Sequence, residues 1–330
     1  MFYRFSLLLN LLLMTGSFLI LRADGLNFRK YAGEFLEIGA DARAQAMGGA
    51  FTAVQGGVSS SYYNPAGIIN IQGTQISFMH TQQMIASVNY DFLAGGFKQK
   101  DKRVIVLSLV RLGIDNIKDS RNAQRIISQT GDWNLDWSRI EDFNASDYIF
   151  TISAAQKWRE SWTWGANLKL IRRNLADYNA NGIGIDLGIQ KQLFKNALIG
   201  LNLRNITTTL ISWNTGEKEL VTPSIYLGGG YIWEISRFNS TFHPVFDLIF
   251  RAENRNKSTT ANLGRFSFDY AAGLEYAYHQ VLFLRGGIDE IERLNLGIGI
   301  QIPHIRIDYT FTNYDNELGN SHRIGLVITL

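Results

Sequence analysis

The sequence predicts an all-β fold, a transmembrane antiparallel β-barrel of about 14 strands with an N-terminal luminal hatch, or plug. Three observations carry this prediction: segments in which every second residue is apolar, connections that alternate between short and long, and aromatic residues at both segment ends. The 330 residues would divide into a signal peptide at 1–23, a plug segment at 24–72 and the barrel at 73–330.

The alternation is clearest near the C-terminus. Phe266, Phe268 and Tyr270 share one face of a predicted strand, whereas Ser267 and Asp269 share the other. One apolar and one polar face suit a strand between lipid and a wet interior. The mean hydropathy of −0.06 fits this prediction, because only alternate residues would face lipid.

The connections between predicted strands differ in length from one rim to the other. The predicted strands span 73–80, 87–98, 102–112, 146–158, 161–172, 181–192, 195–206, 222–234, 240–251, 264–278, 281–289, 292–302, 303–312 and 320–330. The short connections are 99–101, 159–160, 193–194, 235–239 and 279–280, and the long ones are 113–145, 173–180, 207–221 and 252–263. Outer-membrane barrels have short periplasmic turns and longer extracellular loops, so this pattern predicts the orientation.

Aromatic residues are expected to form a belt at each rim. On the apolar face, the short-turn rim would carry Trp158, Trp162, Trp233, Phe242 and Tyr278, and the long-loop rim would carry Tyr148, Phe250, Phe266 and Phe311. Such belts occur at membrane interfaces. A soluble β-sandwich also alternates, but it has no need of two belts.

The N-terminus resembles an export signal. Arg4 supplies positive charge, 7–13 and 18–21 supply an apolar core, and cleavage is expected after Ala23. A single transmembrane anchor is the alternative, but polar residues at 15–17 interrupt the apolar stretch. We therefore expect localisation in the outer membrane of a Gram-negative type of cell.

The segment that precedes the first strand lacks alternation and is rich in glycine. Its alanines predict a helix within 38–53, which Gly48 and Gly49 would end. Farther on, Asn64, Pro65, Ala66 and Gly67 predict a tight turn, since proline fixes its own φ and glycine allows a left-handed exit. An ordinary loop before a strand would also suit this motif taken alone.

Charged residues of both signs fall on the predicted inner face. The candidate interior network comprises Asp186, Arg204, Asp247, Arg265, Asp269, Glu275, Arg293, Arg306 and Asp308. Because the two signs are interspersed, we expect mutual neutralisation that braces the lumen, rather than a selective ion path.

Composition excludes several classes of function. There is no cysteine, and 32 basic against 29 acidic residues give a net charge of +3, too balanced to favour nucleic acid. No metal-ligand spacing, phosphate loop or nucleotide fingerprint occurs, so no metal and no cofactor are expected. The five histidines are not spaced with a nucleophile and an acid, so we expect no enzyme.

Three N-terminal motifs together resemble the start of the PorV/PorQ family, a branch of the FadL-like outer-membrane barrels. They are Phe35-Leu36-Glu37-Ile38-Gly39, Ala42-Arg43-Ala44-Gln45-Ala46-Met47-Gly48-Gly49-Ala50 and Tyr63-Asn64-Pro65-Ala66-Gly67. The segments 204–216 and 223–231 are similar to the middle section of that family. The resemblance implies a 14-stranded barrel with a hatch and a role in type IX protein secretion, with secretion-system proteins or the C-terminal signal domains of cargo as partners.

Two functions follow as hypotheses. The first is secretion or surface attachment of cargo through a long loop that carries Trp133, Trp137 and Phe143; self-packing of these aromatics over the barrel mouth is the alternative. The second is FadL-like passive transport of hydrophobic small molecules through a kink in the wall, with candidate kinks at 95–96 and 228–230. Outer-membrane lipid is a partner in either case.

Overall fold

The structure is a computed structural model that describes residues 33–83, 88–99, 103–126, 133–253, 255, 259–314 and 319–330. The predicted signal peptide at 1–23 lies outside these residues, as do 24–32 of the predicted plug segment.

Fourteen antiparallel strands form a closed barrel, which confirms the predicted fold class. In chain order the strands are β1 Thr74–Gln83, β2 Val88–Lys98, β3 Arg103–Asp119, β4 Glu141–Arg159, β5 Trp162–Leu175, β6 Tyr178–Phe194, β7 Ala197–Arg204, β8 Ser224–Tyr231, β9 Ser240–Arg251, β10 Phe266–Tyr278, β11 Leu282–Ile288, β12 Leu294–Ile302, β13 Ile305–Thr312 and β14 Ser321–Thr329. Each strand pairs with the next in sequence, and β1 pairs with β14 to close the wall, with Ile76 opposite Ile328. The closed wall leaves no open sheet edge, and this is the condition for spanning lipid with strands.

The outer face of the barrel is an apolar band. Phe78, Leu93, Leu109 and Phe150 lie side by side on β1–β4 in direct register, and all four side chains are exposed. Ile298 on β12 and the other outward apolar side chains are exposed as well, so these side chains face lipid. No helix within the described ranges has the length and apolarity needed to cross a membrane.

Most residues predicted for the aromatic belts lie at or near strand ends, but Tyr148 lies inside β4. Trp158 and Tyr278 lie at the short-turn ends of β4 and β10, and Trp233 lies just beyond β8 at the same rim; all three are exposed. At the long-loop rim, Phe266 begins β10 and is exposed as well.

The described part of the plug lies inside the barrel and consists of short elements. They are a 3-10 helix at Glu34–Leu36, α1 at Ala42–Ala46, α2 at Ser60–Tyr63 and a 3-10 helix at Pro65–Asn70. A short helix thus lies within 38–53, as predicted. The Asp41 carboxylate caps α1 by accepting from the Arg43 N–H at 2.9 Å, and Gly48 and Gly49 end the helix with φ of 67° and 75°.

Two predicted long loops are shorter than expected. Much of 113–145 belongs to an extended hairpin, because β3 runs to Asp119 and β4 begins at Glu141. The predicted loop at 173–180 is a turn at Ala176 and Asp177, with φ of 49° at Ala176.

Between β7 and β8 the chain forms two further short strands, Thr209–Trp213 and Lys218–Val221, which pair with each other. The first of them also pairs with β6, with Leu210 opposite Ile183. The end of β7 and this short strand therefore run along the same neighbour, separated by an interruption at 205–208.

Candidate functional site

The Asn64-Pro65-Ala66-Gly67 motif fixes the plug against β5, β6 and β7. The buried Asn64 accepts from the Ala66 N–H at 3.0 Å through Oδ1 and donates to the Thr52 carbonyl at 2.8 Å through Nδ2. Pro65 opens the 3-10 helix Pro65–Asn70. Gly67 does not adopt the predicted left-handed conformation; it is needed because a Cβ there would lie 2.6 Å from the Val54 carbonyl oxygen.

Glycines on the inner wall let the plug backbone touch the barrel. A Cβ on Gly188 would lie 2.0 Å from Asn64 Oδ1, and one on Gly287 would lie 2.4 Å from the backbone carbon of Met47. The same close approach occurs at Gly165, Gly200, Gly228, Gly273 and Gly297. The strands at 95–96 and 228–230 pair without interruption, so the two glycine kinks expected from the sequence are absent.

Two tyrosines hold the first part of the plug onto α2. Tyr62 Oη donates to the Leu36 carbonyl at 2.6 Å, and Tyr63 Oη accepts from the Ala40 N–H at 3.1 Å and from Gln45 at 2.9 Å. The turn at Glu34–Leu36 is thereby tied to the helix that precedes the Asn64 motif.

Ion pairs join the plug to the charged side of the lumen. Glu275 on β10 is contacted by Arg43 of α1 at 2.7 Å and by Arg285 of β11 at 2.6 Å. Arg285 also contacts Asp308 at 2.7 Å, and Asp308 accepts from Arg306 at 2.8 Å. The chain of alternating charges thus runs from the plug across β10, β11 and β13.

Four of the six other predicted interior residues form ion pairs. Asp186 pairs with Lys169 at 2.7 Å, Arg204 pairs with Glu37 of the plug at 2.9 Å, and Asp269 pairs with Arg251 at 2.8 Å. Asp247 accepts from the Phe51 and Thr52 N–H groups, each at 3.0 Å. Arg293 pairs with Asp289 at the rim at 2.7 Å. Arg265 lies in an exposed turn before β10 and does not belong to this interior set.

Part of the lumen wall, chiefly on β2 and β3, is apolar, which the sequence analysis did not predict. A single buried cluster joins plug and wall; from the plug it includes Phe35, Leu36, Val58, Ile68, Ile69 and Ile71, and from the wall Met79, Tyr90, Phe92, Val104, Val106, Val110, Ile149 and Ile171. The signal that could have revealed it is the nearly unbroken apolar run at 104–110, where both faces of β3 are apolar. The interior therefore has an apolar side and a charged side.

A small pocket lies between these two sides, directly over α2. Leu36, Val110 and Ile149 form its apolar wall, and Ser108, Thr151, Asn167, Lys169, Asp186, Arg204, Glu37 and Tyr62 complete it. Its volume of about 30 Å³ is enough for water-sized occupants.

The strand pairing in the barrel wall is irregular beside this pocket, although the Ile206 N–H still donates to the Ile185 carbonyl at 3.0 Å. The pairing of β6 with β7 ends at Leu187 opposite Leu203, and β6 pairs again at Ile183 opposite Leu210. Between these two pairs the chain that follows β7 has three more residues than β6. Asn205 and Thr208 both have left-handed φ, 54° and 59°. Such a bulge leaves strand positions unpaired and bends the wall.

A second small cavity, about 20 Å³, reaches this interruption from inside and is lined by Asn205, Val221, Thr222 and Ser224 together with Glu34 and Arg255. Burial raises the pKa of the Glu34 carboxyl above its ordinary value, although the neighbouring Arg255 opposes this shift.

A larger cavity, about 480 Å³, lies below the plug at the short-turn rim. Arg43, Gln55, His243 and Glu275 are among its lining residues, and most of the remainder are polar. This cavity, which we call the vestibule, is closed off from the pocket over α2 by the plug.

The predicted partner-binding loop is part of the protruding β3–β4 hairpin. Trp137 lies in a one-turn 3-10 helix and is 77% exposed. Phe143 lies on β4 opposite Ile117, and Trp133 begins a short strand that pairs with Gln124–Ile126. Across the described ranges no group of histidine, aspartate or glutamate residues is arranged to hold a metal ion.

No protein-family model and no curated protein sequence matches the chain. Several solved structures do match the chain. The Ralstonia pickettii toluene transporter TbuX is 14% identical, with 88% of this chain and 97% of that chain covered at a TM-score of 0.56. The P. putida toluene transporter TodX is 13% identical with the same coverage and a TM-score of 0.57. The CymD monoaromatic hydrocarbon channel is 12% identical over 89% of this chain and 98% of that chain, with a TM-score of 0.53. At these identities the likeness establishes a FadL-like barrel fold.

Proposed function

We propose that this chain is a passive channel that carries hydrophobic small molecules across the outer membrane. The observation that carries the proposal is the apolar part of the lumen wall, chiefly on β2 and β3, which meets apolar residues of the plug. A lumen built only for water and ions has no need of such a surface, whereas hydrophobic molecules gain free energy by leaving water for it. The similar structures are described as toluene transporters and a monoaromatic hydrocarbon channel, which supports this function over the secretion role.

The route we assign has three parts. A molecule enters from the long-loop side, passes the turn at Glu34–Leu36 and reaches the pocket over α2. It leaves sideways into the lipid at 205–208, since the direct way down is blocked by the plug and ends in the polar vestibule. The exit therefore lies at 205–208, directly after β7, not at the glycine pairs considered from the sequence.

The test is uptake of radiolabelled toluene by intact Gram-negative cells, whose lipopolysaccharide leaflet slows hydrophobic molecules more than a phospholipid vesicle does. Cells that express the chain should take up toluene faster than cells with an empty vector, while uptake of labelled sucrose stays unchanged. Equal toluene rates in the two cell lines, at matched amounts of folded protein, would contradict the proposal.

A second candidate is the secretion-associated role that the PorV/PorQ resemblance implies. The observation that favours it is the exposure of Trp137 on the protruding hairpin, because exposed aromatic side chains are common anchors of protein interfaces. Co-purification from native membranes of secretion components or cargo, lost with Trp137→Ala, would support this role. A wild-type preparation that retains no such protein would count against it.

A further inference from the structure

Two polar atoms in the pocket over α2 have no hydrogen-bond partner among the described residues. They are Asn167 Oδ1 and Arg204 Nε, and both side chains are more than nine-tenths buried. The Asn167 amide nitrogen donates to the Ser61 carbonyl at 2.9 Å and to Asp186 at 3.1 Å, which assigns the free atom of this side chain as the acceptor. Both residues line the pocket, so a ligand that displaces the groups around these atoms would meet one free acceptor and one free donor.

A pure hydrocarbon would leave both atoms unsatisfied. Asn167 Oδ1 and Arg204 Nε are already enclosed by the protein, and a hydrocarbon beside them supplies neither missing hydrogen bond, which is unfavourable. The hydrocarbon would pack against the apolar wall at Leu36, Val110 and Ile149, but it would form no hydrogen bond with the polar wall opposite.

A ligand with a carboxylate group would fit this pocket less well than a hydrocarbon. The two cations of the lining are already taken, since Lys169 pairs with Asp186 at 2.7 Å and Arg204 pairs with Glu37 at 2.9 Å. The four charges sum to zero, so an additional anion would be buried without a free counter-charge.

A hydroxyl group satisfies both atoms, because it donates one hydrogen bond and accepts others. We propose that this pocket selects, among hydrophobic small molecules, neutral ones that carry a hydroxyl group, with benzyl alcohol as the model ligand. The hydroxyl donates to Asn167 Oδ1 and accepts from Arg204 Nε, while the ring contacts Val110 and Ile149. The present cavity accommodates only the polar end, so the ring takes the place of Leu36 when the turn at Glu34–Leu36 shifts.

This inference rests on the proposed channel function, and its test separates the two. Binding of radiolabelled toluene, benzyl alcohol and benzoate to the purified full chain in detergent is measured, with binding to protein-free micelles subtracted. Benzyl alcohol should bind about tenfold more tightly than toluene or benzoate, which corresponds to one or two net hydrogen bonds.

Arg204→Lys keeps a cation for Glu37 but removes the Nε donor. It should reduce the preference for benzyl alcohol over toluene to less than threefold. Arg285→Lys, which changes an equally buried arginine outside the pocket, is the matched control and should retain the full preference.

The outcomes divide cleanly. If toluene binds as tightly as benzyl alcohol to the wild type, or if benzoate binds best, the selectivity proposal is wrong while the channel proposal stands. If none of the three binds above the micelle background, both are wrong. If Arg204→Lys folds and keeps the full preference, Arg204 is not the donor and the proposal is overturned; should that variant fail to fold, the comparison of three ligands on the wild type still decides.

Discussion

At Gly228 the barrel wall and the plug approach each other so closely that no side chain fits between them. A Cβ there would lie 2.4 Å from Asp247 Oδ1 and 2.8 Å from the Thr52 Cβ. Asp247 also accepts a hydrogen bond from the Thr52 N–H through its other carboxylate oxygen. The neighbouring Gly229 faces outward and has nothing within 4 Å of its Cβ position. Gly228 therefore has a steric requirement for glycine that the adjacent Gly229 lacks.

Gly228→Ala should displace the Thr52 segment and destabilise the protein by about 1–3 kcal/mol, as overpacking of a filled interior does. Gly229→Ala is the control and should change stability little. Urea unfolding followed by tryptophan fluorescence measures both, and equal midpoints for the two variants would mean that the plug does not lie against β8 as described.

Glu275 illustrates a second effect at the same scale, because it neutralises one arginine of the plug and one of the wall. Glu275→Gln leaves Arg43 and Arg285 without their shared carboxylate and should destabilise the protein by about 3–5 kcal/mol. Asp142→Asn breaks the exposed pair with Lys118 and should have an effect below about 1 kcal/mol. The same urea titration compares the two, and an effect of Glu275→Gln no larger than that of Asp142→Asn would contradict the bracing role.

At the scale of the element, β7 shows what a sequence pattern can and cannot predict. All 14 strands were predictable, because a period of two residues follows from the pleat of any strand with one lipid-facing side. The interruption at 205–208 was not, because it depends on how many residues β7 and β6 use between the same two pairings. Glycine pairs suggested kinks elsewhere, whereas here the left-handed positions are Asn205 and Thr208.

Deletion of residues 206–208 removes the three additional residues of β7 and should allow β6 and β7 to pair without a break. If molecules leave through this part of the wall, toluene uptake should fall toward the empty-vector rate while the protein still inserts and folds. Folding is checked by heat-modified migration in gels. Undiminished uptake by a folded deletion variant would rule out this exit. The matched control is deletion of residues 215–217 in the turn between the two short strands, which should leave uptake intact.

At the scale of the whole molecule, the lumen wall is apolar chiefly on β2 and β3, whereas buried ion pairs lie on β5–β7 and on β9–β13. The sequence predicted the charged side from its alternating positions, but it did not predict the apolar side, since residues such as Tyr90 and Val106 are inward apolar residues in strands assumed to be wet inside. The Asn64 motif was recognisable as a turn, but its contacts with β5–β7 depend on the closed barrel. The pocket over α2 unites residues from five wall strands and the plug, and no spacing in the sequence relates them.

Because the chain has no cysteine, a disulfide can lock the plug cleanly. A Cβ on Gly33 would lie 3.5 Å from the Val221 Cβ, within the range of a disulfide, so Gly33→Cys/Val221→Cys should cross-link the entrance turn to the wall. Oxidation should lower toluene uptake at least several-fold, and reductant should restore it. Ala42→Cys/Gly325→Cys locks α1 to β14 instead and serves as the control, since we assign no movement to α1. Full uptake by the oxidised Gly33 lock would show that the entrance turn does not have to move.

The course of the plug also sets the order in which the molecule can be assembled. Gly33 lies against Val221 near the long-loop rim, whereas Thr74 pairs with Leu330 at the short-turn rim, so the plug runs the length of the interior before β1 begins. The seam between β1 and β14 joins the two ends of the barrel sequence, and once it is sealed the plug cannot thread through a wall that touches its backbone. The plug must therefore be in place while the seam is still open, and closure of the last seam is the step that commits the chain to its final form.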